Sequence, residues 1–208
     1  MSFNMILTTH NLYLMKILVA TNNKNKIIEI KQIANKISNN NVEFVLPKDL
    51  NINIKPNEIF NTFEENANLK ATEFYKISNL PTIADDSGLE IMALNNAPGV
   101  HSARFAEPHN DKANRLKVLE LLRNEKNRKA KFRTVIAFYD GIKAMYFYGE
   151  CVGEITNEER GLNGFGYDSI FIPAGFTKTF AEMSEEEKNS ISHRYKAIFA
   201  FCSELNNF

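Results

Sequence analysis

Cysteine is scarce in this chain: Cys151 and Cys202 are the two among 208 residues. Two thiols make no disulfide framework, and neither belongs to a C-x-x-C pair. No apolar run approaches the roughly 20 residues of a membrane-spanning helix. Neither sign of charge is in excess, with 25 basic against 25 acidic side chains. No block of Lys or Arg gathers locally either, which excludes nucleic-acid binding driven by a basic patch. His10, His101 and His109 stand at no metal-ligand spacing with the cysteines. There is no internal repeat and no low-complexity block. Met1 to Leu14 lacks the basic start and long apolar centre of an export signal. What is present is 44% apolar content with 24% charged residues, enough to build a core and too apolar for a disordered chain. The expectation is a cytoplasmic enzyme or binding protein with no nucleic acid and no membrane as partner. Residues 1–14 read as a disordered or loosely attached N-terminal extension, Met15 as an alternative start, and 15–208 as a single domain.

Periodicity makes that domain mixed α/β. Lys16 to Ala20 is a short apolar run that reads as a buried strand. Ile27, Ile30, Ala34 and Ile37 then recur at helical spacing. Val42 to Leu46 reads as a second strand, stopped by Pro47. Thr62 and Glu65 form a capping-box pair ahead of a helix whose apolar face is Phe63, Ala67, Ala71 and Phe74. Pro81 to Ala84 reads as a strand that ends in Asp85-Asp86-Ser87-Gly88. Asn110 or Asp111 caps a helix running to about Arg123. Phe132 to Tyr139 and Ile142 to Val152 read as a hairpin turning on Asp140-Gly141. Ser169 to Ile172 is a short strand. Ser184 with Glu187 opens a short helix, and Ser192 starts the last one, with Tyr195, Ile198, Phe199, Cys202 and Leu205 on its stripe.

Chemistry concentrates in five places. Thr21-Asn22-Asn23-Lys24-Asn25-Lys26 joins a strand to a helix start, where backbone N–H groups attract anions and the lysines strengthen that field. The alternative is a polar turn with solvated lysines; the glycines of a P-loop are missing. Asp85-Asp86-Ser87-Gly88 lies at a strand end, where paired carboxylates can hold a hard cation or orient a water; the alternative is an Asx turn closed by Gly88. Side chains alternate along a strand, so one of the two carboxylates is expected to enter the site. Lys70 falls within the apolar stripe of its helix, so it either snorkels outward or meets an anion, for which Glu58 is available. Gly164-Phe165-Gly166-Tyr167-Asp168 puts two aromatics and a carboxylate on a lightly built loop that can clamp a planar base, or else is a glycine turn with both rings in the core. Lys188, Ser192, His193 and Arg194 flank the last helix start, where cations oppose the dipole unless a polar ligand faces them.

In this order, these strings resemble the inosine triphosphate pyrophosphatase family over Met15 to Leu205. The likeness rests on Thr21 to Lys26, Thr62 to Ala67 with Lys70, Ala84 to Leu89, Ala97 to Arg104, Gly164 to Asp168, and Glu187-Lys188 with Ser190 to Arg194. The resemblance implies an elongated mixed β-sheet flanked by helices, two lobes with the active-site cleft between them, and a homodimer. It implies hydrolysis of inosine, deoxyinosine and xanthosine triphosphates to the monophosphate and pyrophosphate, cleansing the nucleotide pool with Mg²⁺ as cofactor. Carried over by position, Thr21, Asn22, Asn23, Lys24, Asn25 and Lys26 cradle phosphates, and Lys70 and Lys188 add charge. Glu58 and Asp86 hold Mg²⁺, and Asp86 is also the catalytic proton acceptor. Ser87 contacts substrate; Phe165, Gly166, Tyr167, Asp168, His193 and Arg194 hold the base. Two alternatives remain at this stage. One is a Maf-like pyrophosphatase of modified pyrimidine nucleotides, against which the Gly164 to Asp168 loop and the His-Arg pair speak. The other is a non-hydrolysing nucleotide sensor, against which the intact Asp86 speaks.

Overall fold

Strand β1 (Met15–Val19) pairs in parallel with β2 (Val42–Val45), and helix α1 (Lys24–Ile37) makes the crossover between them. A parallel pair needs such a connection, and the apolar face of α1 covers the sheet it returns to. A computed structural model describes residues 14–37 and 42–205 of the chain. The expected N-terminal extension lies outside the described residues except for Leu14.

Helix α2 (Phe63–Ser78) returns the chain to β3 (Thr82–Ile91), which is also parallel to β1. Helix α3 (Asp111–Leu121) precedes the antiparallel strands β4 (Lys129–Tyr139) and β5 (Ala144–Ile155). A three-residue strand β6 (Phe171–Pro173) closes the far edge, and α4 (Glu185–Ile191) and α5 (His193–Leu205) end the chain. The sheet is mixed and six-stranded, in the order β2-β1-β3-β4-β5-β6.

The caps explain several boundaries. Thr62 accepts the Glu65 N–H at 3.2 Å, and its hydroxyl donates to the Glu65 carboxylate at 2.6 Å. Ser184 and Glu187 form the full reciprocal box, and Asn110 caps α3 through the Ala113 N–H at 2.9 Å. Asn23, which carries no signal of its own in the sequence, accepts the N–H groups of Asn25 and Lys26 and so starts α1.

Four local expectations are corrected. The strand expected to stop at Ala84 continues to Ile91, because β4 pairs with it residue by residue from Thr82↔Tyr139 to Ile91↔Ala130. The ladder holds the polar Asp85 to Gly88 stretch extended where local propensity favours a turn. The hairpin loop is four residues, Asp140 to Lys143, since the Asp140 carboxylate accepts the N–H groups of both Ile142 and Lys143. The strand expected from Ser169 is a short 3-10 turn over Asp168–Ile170 followed by β6. Phe199 is 48% exposed rather than part of the α5 core stripe.

Two apolar cores on one face of β3 set up the site. Ile83 joins a cluster with Ile30, Ile33, Ala197 and Phe201. Leu89 and Ile91 join another with Val118, Phe132, Phe171 and Phe180. Asp85 and Ser87, on the same face, fall between them. The chain thus forms two lobes on one continuous sheet, with a polar cleft at the middle of β3.

Candidate active site

β1 stops at Val19, and its last pairing with β3 is Val19↔Ile83. From Asp85 onward β3 has lost that neighbour, so a cleft of about 660 Å³ opens along its freed edge. The cleft wraps around this edge, and both Asp85 and Asp86 line it. This corrects the expectation that alternation would admit one of them. Asp85 faces α1 and α5; Asp86 faces α2.

On the first side runs an alternating chain of buried charges. Asp168 meets Lys188 at 2.7 Å, Lys188 meets Glu29 at 2.7 Å, and Glu29 meets Arg194. Arg194 lies 3.6 Å from Asp85, which binds Lys26 at 2.8 Å. On the other side Asp86 meets Lys70 at 3.1 Å, Lys70 meets Glu58 at 2.8 Å, and Glu58 meets Arg104 at 3.5 Å. Each chain holds as many carboxylates as cations. Lys26 in the first turn of α1 and Arg194 in that of α5 are therefore answered from within the protein, by Asp85 and Glu29, rather than only by a ligand. Those carboxylates also suit a helix N-terminus.

The adjacent carboxylates are driven apart. Burial pushes Asp85 up, but Lys26 and Arg194 outweigh it and hold this carboxyl well below its ordinary range. Asp86 is raised by burial, with Lys70, which it shares with Glu58, pulling only partly the other way. One Asp is thus a fixed counter-ion and its neighbour is a better proton acceptor. Among the described residues, Asp86 Oδ2 has no hydrogen-bond partner. Lys70 is buried yet held charged: burial lowers its pKa, and Asp86, Asp85 and Glu58 raise it further.

Other residues gather around this centre. Thr21, Asn22, Asn23 and Lys26 line the cleft, whereas Lys24 is exposed and Asn25 faces a neighbouring pocket of about 320 Å³. The Ser87 hydroxyl donates to Asp85 at 2.9 Å, sits 2.8 Å from the Thr134 hydroxyl, and receives Arg194 at 3.3 Å. The Phe165 ring covers Lys188 and Arg194, whose cations lie 4.9 and 5.8 Å from its centroid. Tyr167 borders the cleft but is turned inward: it is 4% exposed, and its hydroxyl donates to the Ser102 carbonyl at 2.7 Å. One ring of the loop thus faces the cleft while the other anchors it. His193 stacks on Phe132 at 4.7 Å, and burial, then Arg194 and Lys188, hold its pKa well below the usual value, so it is neutral.

Glu29 and Arg104 are the residues that sequence reasoning missed. Glu29 borders the apolar stripe of α1, one turn after Lys26. A charged pair at that edge is the signal that could have found it. Arg104 belongs to the Ala97 to Arg104 string, but its partner Glu58 lies 46 residues away, beyond any local pattern.

Comparisons with known proteins place the chain in a family. Residues 17–204 match the sequence profile of the Ham1 family. The chain is 44% identical over 203 residues to the dITP/XTP pyrophosphatase of Aquifex aeolicus, spanning 93% of this chain and 98% of that protein. It is 48% identical over 185 residues to the dITP/XTP pyrophosphatase of Porphyromonas gingivalis, spanning 88% and 93%. Among solved structures, the Ham1 protein of Staphylococcus aureus superposes with a TM-score of 0.82 at 40% identity, over 92% of this chain and 98% of that one. A HAM1 protein of Coxiella burnetii gives 0.84 at 36% identity, over 93% and 100%.

Proposed function

The chain belongs to the Ham1 family, and from that premise we propose that it hydrolyses the non-standard purine triphosphates dITP, ITP and XTP to the monophosphate and pyrophosphate. It is a hydrolase of the triphosphate anhydride bond, like its dITP/XTP pyrophosphatase relatives. The observation that carries the mechanism is the buried, unpartnered Asp86 Oδ2 beside Lys70. In our reading this oxygen takes a proton from the attacking water, the water oxygen bonds to the α-phosphorus, and the bond to the bridging oxygen breaks. Pyrophosphate departs with that oxygen. Thr21, Asn22, Asn23, Lys26 and Lys70 hold the phosphates, where N–H groups and ammonium ions offset the charge that builds on oxygen.

The residues fit Mg²⁺. Among the described residues no cluster of three or more His, Cys, Asp or Glu forms, but Mg²⁺ is commonly held by one or two carboxylates with water and substrate phosphates. Asp86 and Glu58 supply those two. The charge balance of the cleft points the same way, because a polyphosphate adds negative charge that its paired cations do not match. When bound, the ion supplies charge neutralisation and alignment of phosphate oxygens.

At the other end Phe165 stacks the base, and Lys188 and Arg194 face its 6-oxo group. An adenine would bring an amino donor against donors there. We also infer a homodimer of single-domain subunits. Tyr146, Tyr148 and Val152, with Glu150 between the last two, share one face of β5 and are 37%, 50% and 58% exposed, an amphipathic stripe suited to a second copy. No helix among the described residues is long and apolar enough to cross a membrane, and free nucleotides in the cytoplasm are the partners this reading requires.

Pyrophosphate release from dITP, XTP and dATP, with Mg²⁺ and with excess EDTA, tests the proposal. Fast release from the first two and little from dATP is expected, abolished by EDTA. Undiminished hydrolysis in EDTA would remove the metal from the mechanism.

A further inference from the structure

The base-side loop is held from outside by two residues one turn apart on α3. The Asp111 carboxylate accepts the Gly166 N–H at 2.7 Å, and the Arg115 guanidinium donates to the Gly166 carbonyl at 2.9 Å. Both peptide units of Gly166 are thereby fixed. The preceding N–H, that of Phe165, donates to Asp168 at 2.8 Å, so the peptides on both sides of the Phe165 ring are pinned. Gly166 itself has φ +60°, a conformation that glycine adopts freely and that by itself leaves the loop many alternatives.

The clamp is built on a rigid support. Arg115 is further held by Glu159 at 2.9 Å, which also accepts the Ser169 hydroxyl at 3.2 Å. Helix α3 is anchored by Val118 and Leu122, both fully buried, and by Asn114, which bonds Ala103 and Ala106. Asn110, not Asp111, caps the helix, so the Asp111 carboxylate is not consumed by that duty.

We propose that Asp111 and Arg115 are positioning residues for base recognition, fixing the Gly166 peptides so that the Phe165 ring stays over Lys188 and Arg194 and presents its face to the purine. The inference rests on the reading that this loop holds the base. Neither residue touches the phosphate end at Asp86. Losing either bond therefore weakens recognition without slowing the bond-breaking step.

Steady-state kinetics on dITP and dATP, with melting temperatures, test this for Asp111→Ala, Asp111→Asn, Arg115→Met and Phe165→Ala. Asp111→Ala and Arg115→Met are expected to raise KM for dITP about tenfold, the scale of a lost charge-assisted hydrogen bond acting at one remove, with kcat within about twofold. The preference for dITP over dATP falls with them. Asp111→Asn keeps a carbonyl acceptor and restores most of the wild-type KM. A fall in kcat and melting temperature at unchanged KM and preference would mean that the two residues only stabilise the fold, and it overturns the proposal. If Phe165→Ala shifts KM and preference but the α3 variants do not, the clamp is wrong and the base reading stands. If Phe165→Ala changes neither, the base reading fails and the clamp falls with it.

Discussion

At the scale of single residues, the adjacent carboxylates of β3 have different work because they have different neighbours. Asp86→Asn should keep the fold and lower kcat by about a hundredfold or more, the usual contribution of a positioned base. Wild-type turnover in that variant would reassign the base. Asp85→Asn should act mainly on stability, since it leaves Lys26 and Arg194 without their shared anion; removing one partner of a buried pair costs about 3–5 kcal/mol, readable in a denaturant titration. The raised Asp86 pKa also sets a pH dependence. The base must be ionised, so kcat/KM is retained above its folded pKa and lost as pH falls through it. Mg²⁺ on the same carboxylate would pull its pKa back down, so the acid limb of a pH–rate profile should move to higher pH as Mg²⁺ is lowered below saturation. Lys70 shows how much of this was legible: its place in the apolar stripe of α2 leaves snorkelling or an anion open and offers Glu58, which it meets at 2.8 Å, but gives no sign of Asp86 at 3.1 Å.

At the scale of elements, β3 is the case where local chemistry and the fold disagree. Asp-Asp-Ser-Gly favours a turn, and ten paired residues of β4 hold it straight. That extended geometry is what sends Asp85 to α1 and α5 and Asp86 to α2. The first turn of α5 depends in turn on Gly149 of β5, where an added Cβ would meet the His193 carbonyl oxygen at 2.0 Å and the Ala197 nitrogen at 2.6 Å. Both are backbone atoms, so the helix itself would have to shift. Gly149→Ala should cost about 1–3 kcal/mol, as overpacking does, and should reduce turnover by displacing His193 and Arg194. Thermal melting and a dITP assay on the same preparation check both effects. An unchanged melting temperature would show that α5 is free to move away from the sheet.

At the scale of the whole molecule, one continuous sheet carries two cores, and the charged belt between them is the cleft. Glu29 and Asp85 have folded pKa values lowered from 4.5 and 3.8. Such carboxylates contribute stability that is present above those ordinary values and lost as pH falls through the lower folded ones. Their share of the unfolding free energy should therefore be flat near neutrality and decline below about pH 4.5, while the raised Asp86 and Asp168 act the other way, with Glu29→Gln less stable at pH 7 and less sensitive to acid than wild type. Denaturant midpoints measured across that range decide it. A Glu29→Gln curve parallel to wild type would show that the belt does not control acid stability. The sequence by itself determined the helices, the capping boxes at Thr62 and Ser184, and the order of the strings at Thr21, Asp85, Gly164 and Lys188, because those signals act over three or four neighbouring residues. Only the tertiary structure decided which charges meet. Lys188 and Glu29 are 159 positions apart and Arg194 and Ser87 are 107 apart, and a contact at such range depends on where the sheet brings α1, β3 and α5 together, which no local pattern encodes.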